Sequence, residues 1–264
     1  MSSGTHQFKF GVDYRWIESP TIQTNLLEGI FSGVSPVLNN ASTLIVFNRL
    51  PSIPIFKEVS VFAQDEWRIK ENLSLSLGLR WEVNPPPTEA NGHDAYTLLG
   101  SLANPSSLTL APEGTPLWKT PWFNLAPRLG VAWTAHAQPG WESIVRTGGG
   151  VFFDTDNQLA VNGYSGIGFS ALGSFLSAPL PATAAQVNLA PSVVAPYTSS
   201  AVYAFPSHLQ LPYTLEWNAS LDQSLGRNQV LSISYIGSNG RRLPATQQLS
   251  LSSHNPNFGI AFDQ

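Results

Sequence analysis

The sequence contains no cysteine, which excludes a disulfide framework and a thiolate metal site. Charge is scarce as well. Only 11% of the 264 residues are Asp, Glu, Lys or Arg, against about 25% in ordinary soluble domains. The net charge is -4 and the basic residues form no stripe, which argues against nucleic acid as a partner. No run reaches the roughly 18 apolar residues of a membrane helix. The opening Met1-Ser2-Ser3-Gly4-Thr5-His6 has neither the charged nor the apolar region of a signal peptide. For an exported protein that start implies a fragment. Aromatics, by contrast, are plentiful at 11%, with 8 Trp, yet the mean hydropathy is -0.02. Apolar and polar residues that cancel in this way fit transmembrane β structure, and composition alone fits a soluble all-β protein equally.

Periodicity separates the two. In segment 7–16, Phe8, Phe10, Val12, Tyr14 and Trp16 alternate with Gln7, Lys9, Asp13 and Arg15. A strand sends alternate side chains to opposite faces, so this segment has one apolar and one charged face. The pattern recurs near 57–69, 72–83, 123–133, 145–153, 213–222 and 231–235, with a possible eighth strand near 258–262. The sequence predicts long loops at 17–56, 84–122 and 154–211, and short turns between the other strands. Long and short connections alternate. In an up-and-down meander all long loops then fall at one end, as in outer-membrane barrels. A soluble sandwich or propeller has no reason to sort its loops by length.

This register gathers Lys9, Asp13, Arg15, Glu58, Glu66, Arg68, Arg80, Glu82, Arg128, Arg146, Glu216 and Asp222 on one face. Arg or Lys at a bilayer midplane costs about 2–4 kcal/mol each, so this face is expected to line a wet lumen. Asp65 falls on the apolar face, and a β-bulge over 63–66 or a position near the interface would accommodate it. Aromatics end many strands. Trp16, Trp81, Phe123, Phe153 and Tyr213 are expected at the outer interface, and Trp67 and Trp133 at the periplasmic one. In the loops, Trp118, Tyr197 and Tyr203 either pack the loops together or stack on a ligand.

Constellations of catalysis are not evident. His6, His93, His136, His208 and His254 are scattered without metal-ligand spacing. Gly148-Gly149-Gly150 precedes no Lys-Ser/Thr and no helix, so it reads as close strand packing and not as a phosphate loop. Ser165 lacks the spacing of a nucleophile elbow. Glu66 and Glu82 could approach across a hairpin, where Arg68 and Arg80 would turn them into ion pairs. The expectation is a protein that is not an enzyme and holds no cofactor or metal.

Four segments together resemble one family. Val61-Phe62-Ala63-Gln64-Asp65-Glu66-Trp67-Arg68-Ile69 followed by Leu73-Ser74-Leu75-Ser76-Leu77-Gly78-Leu79-Arg80-Trp81-Glu82 resembles a hairpin of TonB-dependent outer-membrane receptors. Asn124-Leu125-Ala126-Pro127-Arg128-Leu129-Gly130, the run Arg146 to Asp154, and Ser234-Tyr235-Ile236-Gly237-Ser238-Asn239-Gly240-Arg241-Arg242-Leu243 are similar to later strands of that family, in its Oar-like branch. The resemblance implies a barrel of about twenty-two strands around a plug, which imports siderophores, vitamins or glycans with energy delivered through TonB. On that basis residues 1–264 are expected to be part of a transmembrane β-barrel: an all-β, antiparallel up-and-down meander of seven or eight strands. Plug and TonB contact would lie in missing parts. The partners implied are outer-membrane lipid, the TonB complex and an unidentified small molecule or glycan. An outer-surface adhesion or signalling barrel is the alternative, and a soluble carbohydrate-binding β-sheet protein a more distant one.

Overall fold

The computed structural model describes residues 2–101, 104–155, 157–195, 197, 201 and 203–245. Its main strands are β1 (His6–Glu18), β2 (Thr24–Ile30), β3 (Ser42–Arg49), β4 (Pro54–Lys70), β5 (Leu73–Val83), β6 (Asn124–His136), β7 (Ser143–Phe153), β8 (Ser170–Ala178), β9 (Tyr213–Ser224) and β10 (Val230–Arg241). Seven of them, β1, β4, β5, β6, β7, β9 and β10, hydrogen-bond in that order into one sheet. Every pairing is antiparallel. Among the described residues the sheet stays open, because β10 has a strand on one side only. The expected eighth strand near 258–262 lies outside the described residues.

The wall strands form where the residues alternate. β5 is the cleanest case, with Leu73, Leu75, Leu77 and Leu79 interleaved with Ser74, Ser76 and Gly78. Two of the short connections turn on glycines in the left-handed region, Gly140 (φ 81°) and Gly226 (φ 77°), where a side chain would be strained. All three short connections fall at one end of the sheet and all long ones at the other.

The apolar face is not the inside of a globule. Phe10, Val12, Leu79, Leu129 and Tyr235 are 68, 72, 48, 51 and 61% exposed. Soluble monomers seldom leave a contiguous apolar face of this kind open.

The long connections are not loops alone. Residues 17–56 contain β2, a short helix (Val34–Leu38) and β3, and residues 154–211 contain β8 and two more short helices. β8, β3 and β2 pair in that order into a separate three-stranded sheet. Its core is Leu44, Val46 and Ala178, flanked by Phe175, Leu180 and Leu189. A second core joins the start of β4 to two of the long connections: Phe56 from β4, Ala95, Leu117 and Trp118 from the second connection, and Ala160, Tyr164 and Phe169 from the third. The connections thus form a packed cap at one end of the wall.

Candidate functional site

The pairing registers carry the charged residues to one face. Arg15 lies opposite Glu58 and Asp13 opposite Ser60, and Ser60 in turn lies opposite Glu82. Arg80 meets Phe62 and Ala126. Arg128 meets Gly78 and Gly150, and Gly150 meets Glu216. Lys9 with Gln64, Glu66 with Ser76 and Arg68 with Ser74 continue the same face, as do Arg146 with Ala132 and Asp222 with Ile144. All twelve residues singled out by alternation therefore share one side of the sheet.

Many of them are paired. Lys9 Nζ donates to Glu66 Oε1 at 2.7 Å, and Arg146 donates to Asp222. Toward the cap the pairs join into a chain. Arg15 lies 3.7 Å from Glu58 and 3.3 Å from Asp13, and Arg80 bridges Asp13 at 3.3 Å and Glu82 at 2.7 Å. Three carboxylates thus share two guanidiniums. Beside this chain Arg128 has no carboxylate within ion-pair distance among the described residues, and its guanidinium stacks on Phe152 with 4.5 Å to the ring centroid. Gly150 makes that reach possible, because a Cβ there would lie 3.0 Å from Arg128 Cγ. The glycine run is thus a matter of close packing, as its sequence context implied. Asp13, Arg15, Glu58, Arg80, Glu82 and Arg128 border one cleft of about 320 Å³.

Two expectations are corrected. Glu66 and Glu82 do not approach one another. Glu66 opposes Ser76 while Glu82 opposes Ser60, which separates them by six residues along the hairpin, about 20 Å. No bulge re-aims Asp65 either. The β4–β5 register is unbroken from Val59 to Arg68 and shifts only between Arg68 and Lys70. Asp65 stays on the apolar face, where Oδ2 lies 2.7 Å from His6 Nδ1.

The expected interface aromatics lie at the two ends of the sheet. Trp16, Trp81, Phe153 and Tyr213 sit on the apolar face toward the cap, with Phe123 just before β6 and 91% exposed. Trp67 and Trp133 lie toward the short turns, opposite Leu75 and Leu73. At the cap end charged partners accompany the rings. Lys57 Nζ lies 5.0 Å above Trp16, and Trp16 Nε1 donates to Glu18. In the cap, Trp118 is buried and packs on Phe205 with centroids 5.4 Å apart. Tyr203 closes over Gly166, and Tyr197 is half-buried. Trp118 and Tyr203 hold the loops together.

Electrostatics also organise the cap. Burial raises the Glu89 carboxyl, but backbone N–H donors of Ile53, Asn91 and His93 and the Asn91 amide outweigh it, and its pKa falls below the usual value. Glu89 thereby ties the second connection to the start of β4. Burial and the Glu113 carboxylate push the Tyr96 hydroxyl up. Burial and then Asp94 do the same to Tyr164.

Sequence reasoning missed Asn84 and Phe152 at the cleft. Asn84 follows the last residue of β5 and precedes three prolines, so it reads as loop, yet it is buried and lines the cleft. Phe152 breaks alternation by standing on the charged face, opposite Thr214. An aromatic out of phase beside an arginine strand was the available signal.

No curated protein and no solved structure matches this chain. One family model does, described as outer membrane beta barrel domain, over residues 1–260. With seven long antiparallel strands, one apolar and one charged face and a match over nearly its whole length, the chain belongs to the outer membrane beta barrel domain family and resides in the outer membrane.

Proposed function

We propose that this barrel wall and its cap form part of a TonB-dependent, Oar-like receptor that imports a scarce substrate of the siderophore, vitamin or glycan class. The charged face lines the lumen in this reading, since six cationic side chains turned to hydrocarbon would cost on the order of 12 kcal/mol or more, comparable with a domain's whole stability. The open sheet needs further strands for closure, because unpaired backbone is not tolerated against lipid. The observation that carries the reading is the packing of the long connections into one cap, the first on the third through the β3–β8 pairing and the second on the third around Tyr164, at the end where the charged cleft lies. Such an arrangement suits capture at the mouth followed by passage along a polar wall. The four segments resembling the Oar-like branch supply the TonB dependence. The chain binds and passes its substrate without chemical change, with lipid against its apolar face, TonB as the energy-delivering partner and no nucleic acid.

The test is genetic. Deleting the gene in its host is expected to lower uptake of one nutrient, deleting the TonB gene is expected to lower it equally, and the double deletion to add nothing. A phenotype of lost attachment that persists without TonB would instead establish adhesion and refute import.

A further inference from the structure

We propose that the cleft at the cap end of the charged face is a saccharide subsite that holds one neutral sugar ring. The inference rests on the import reading and narrows its substrate class. Three features carry it. First, Asn84, which lines the cleft, is 8% exposed, and its Nδ2 is buried without a hydrogen-bond partner among the described residues. A buried donor left unmatched is costly, and turning the Asn84 amide onto a ligand oxygen in the cleft would relieve it. Second, the cleft does not select an anion. Asp13, Glu58, Glu82 and Asp154 line it against Arg15, Arg80 and Arg128, and Arg15 and Arg80 are already engaged by carboxylates. A carboxylate or phosphate ligand would meet net negative charge with only Arg128 to offer. A hydroxyl-rich neutral ligand both donates to carboxylate edges and accepts from Asn84 and Arg128. Third, the volume of about 320 Å³ is at the small end of ligand pockets, which run from about 300 to 1,000 Å³. That suits a single ring entering from a longer glycan, and it excludes a bulky iron chelate.

Isothermal titration of the detergent-solubilised protein against glucose, galactose, xylose, maltose and sucrose, with glucuronate and citrate as anionic probes, tests this. At least one neutral sugar is expected to bind more tightly than either anion. Asn84→Asp is expected to weaken it roughly tenfold, the worth of one hydrogen bond. Arg128→Gln, at an exposed position, gives a second readout that does not depend on a buried substitution and is expected to weaken it comparably. Citrate binding best, no sugar binding with Kd below about 10 mM, or both variants binding like the parent would overturn the assignment. TonB-dependent uptake of a substrate that is not a sugar would remove the subsite and leave the import reading standing. Sugar binding without TonB-dependent uptake would do the reverse.

Discussion

Leu129 is the position at which the two faces of the wall are most sharply tested. It sits mid-strand in β6, opposite Leu77 on one side and Gly149 on the other, and is 51% exposed. An arginine there has no partner at hand. Its diagonal neighbours are Leu75, Leu79, Thr147 and Val151. Asp65 lies beyond Leu77, two strand spacings or about 10 Å away, and is held by His6. In water, a half-exposed Leu→Arg change would stay within about 0.5 kcal/mol. In a bilayer, Leu129→Arg is expected to cost about 2–4 kcal/mol, a roughly 30- to 700-fold loss in the folding equilibrium. Asn218→Arg, on the charged face between Gly148 and Ile236, is expected to stay within about 0.5 kcal/mol under the same conditions. Reversible urea unfolding of the complete protein in short-chain lipid vesicles measures both. A cost for Leu129→Arg no larger than that for Asn218→Arg would show that lipid does not meet the leucine face.

Three further outcomes follow from local geometry. A Cβ on Gly11 would lie 2.7 Å from the Phe62 ring, so Gly11→Ala is expected to cost about 1–3 kcal/mol; Phe62→Leu should recover part of it, and a double-mutant cycle reading no coupling would refute the contact. Trp118→Ala removes a ring buried in the cap core and is expected to cost the cap about 3–5 kcal/mol; limited proteolysis should then cut within 84–122 and 154–211 while the wall strands survive. Glu89 has a folded pKa below its unfolded one, so the unfolded cap binds more protons and the carboxylate's contribution is present above the ordinary value of 4.5 and lost as pH falls through the depressed one. Amide exchange at Ile53, Asn91 and His93 should accelerate over that fall, and Glu89→Gln should flatten the dependence.

The wall was legible in the sequence because lipid and water impose opposite demands on alternate residues. Nothing else in the chain enforces period two over 11 residues, as in β5. The sheet's pairing order then follows from short turns joining neighbours, and all twelve charged residues fall on one face because directly opposed residues share a face. The cap was illegible for the complementary reason. β2 places Leu26 beside Leu27 and is exposed along its whole length, so no alternation marks it. β3 carries Leu44, Ile45, Val46 and Phe47 in succession, the form of a strand covered on both faces, which periodicity cannot distinguish from other buried structure. Its partner β8 lies more than 120 residues further along and opposes it from Arg49 and Ser170 onward. A pairing of that sequence separation leaves no local signal. The cleft lies between the two regimes: its charged residues come from legible strands, while Asn84 and Phe152 are placed by the junction with the cap.

Asp65 shows how far a strict two-face rule can be relaxed. A carboxylate on the lipid face is tolerated only if its charge is matched or its depth is slight, since the penalty falls toward about 0–1 kcal/mol near the interfaces and is smaller for Asp than for Arg. Asp65 lies near the end of its strand and has a hydrogen-bond partner. Asp65 stands two residues, about 7 Å along the strand, inside the turn-end aromatic Trp67. His6 comes from the neighbouring strand, its ring 5.7 Å from Phe8 and 5.2 Å from Trp67, near-parallel to each, and bonds Oδ2. The other oxygen, Oδ1, is buried without a partner among the described residues. Phe8 and Trp67 thus frame the histidine that bonds the carboxylate. A bulge, which would have moved Asp65 to the lumen side, would also have shifted every following residue of β4 to the wrong face. Keeping Trp67 on the lipid face and Glu66 and Arg68 on the charged one therefore requires Asp65 to remain where it is, with a histidine beside it.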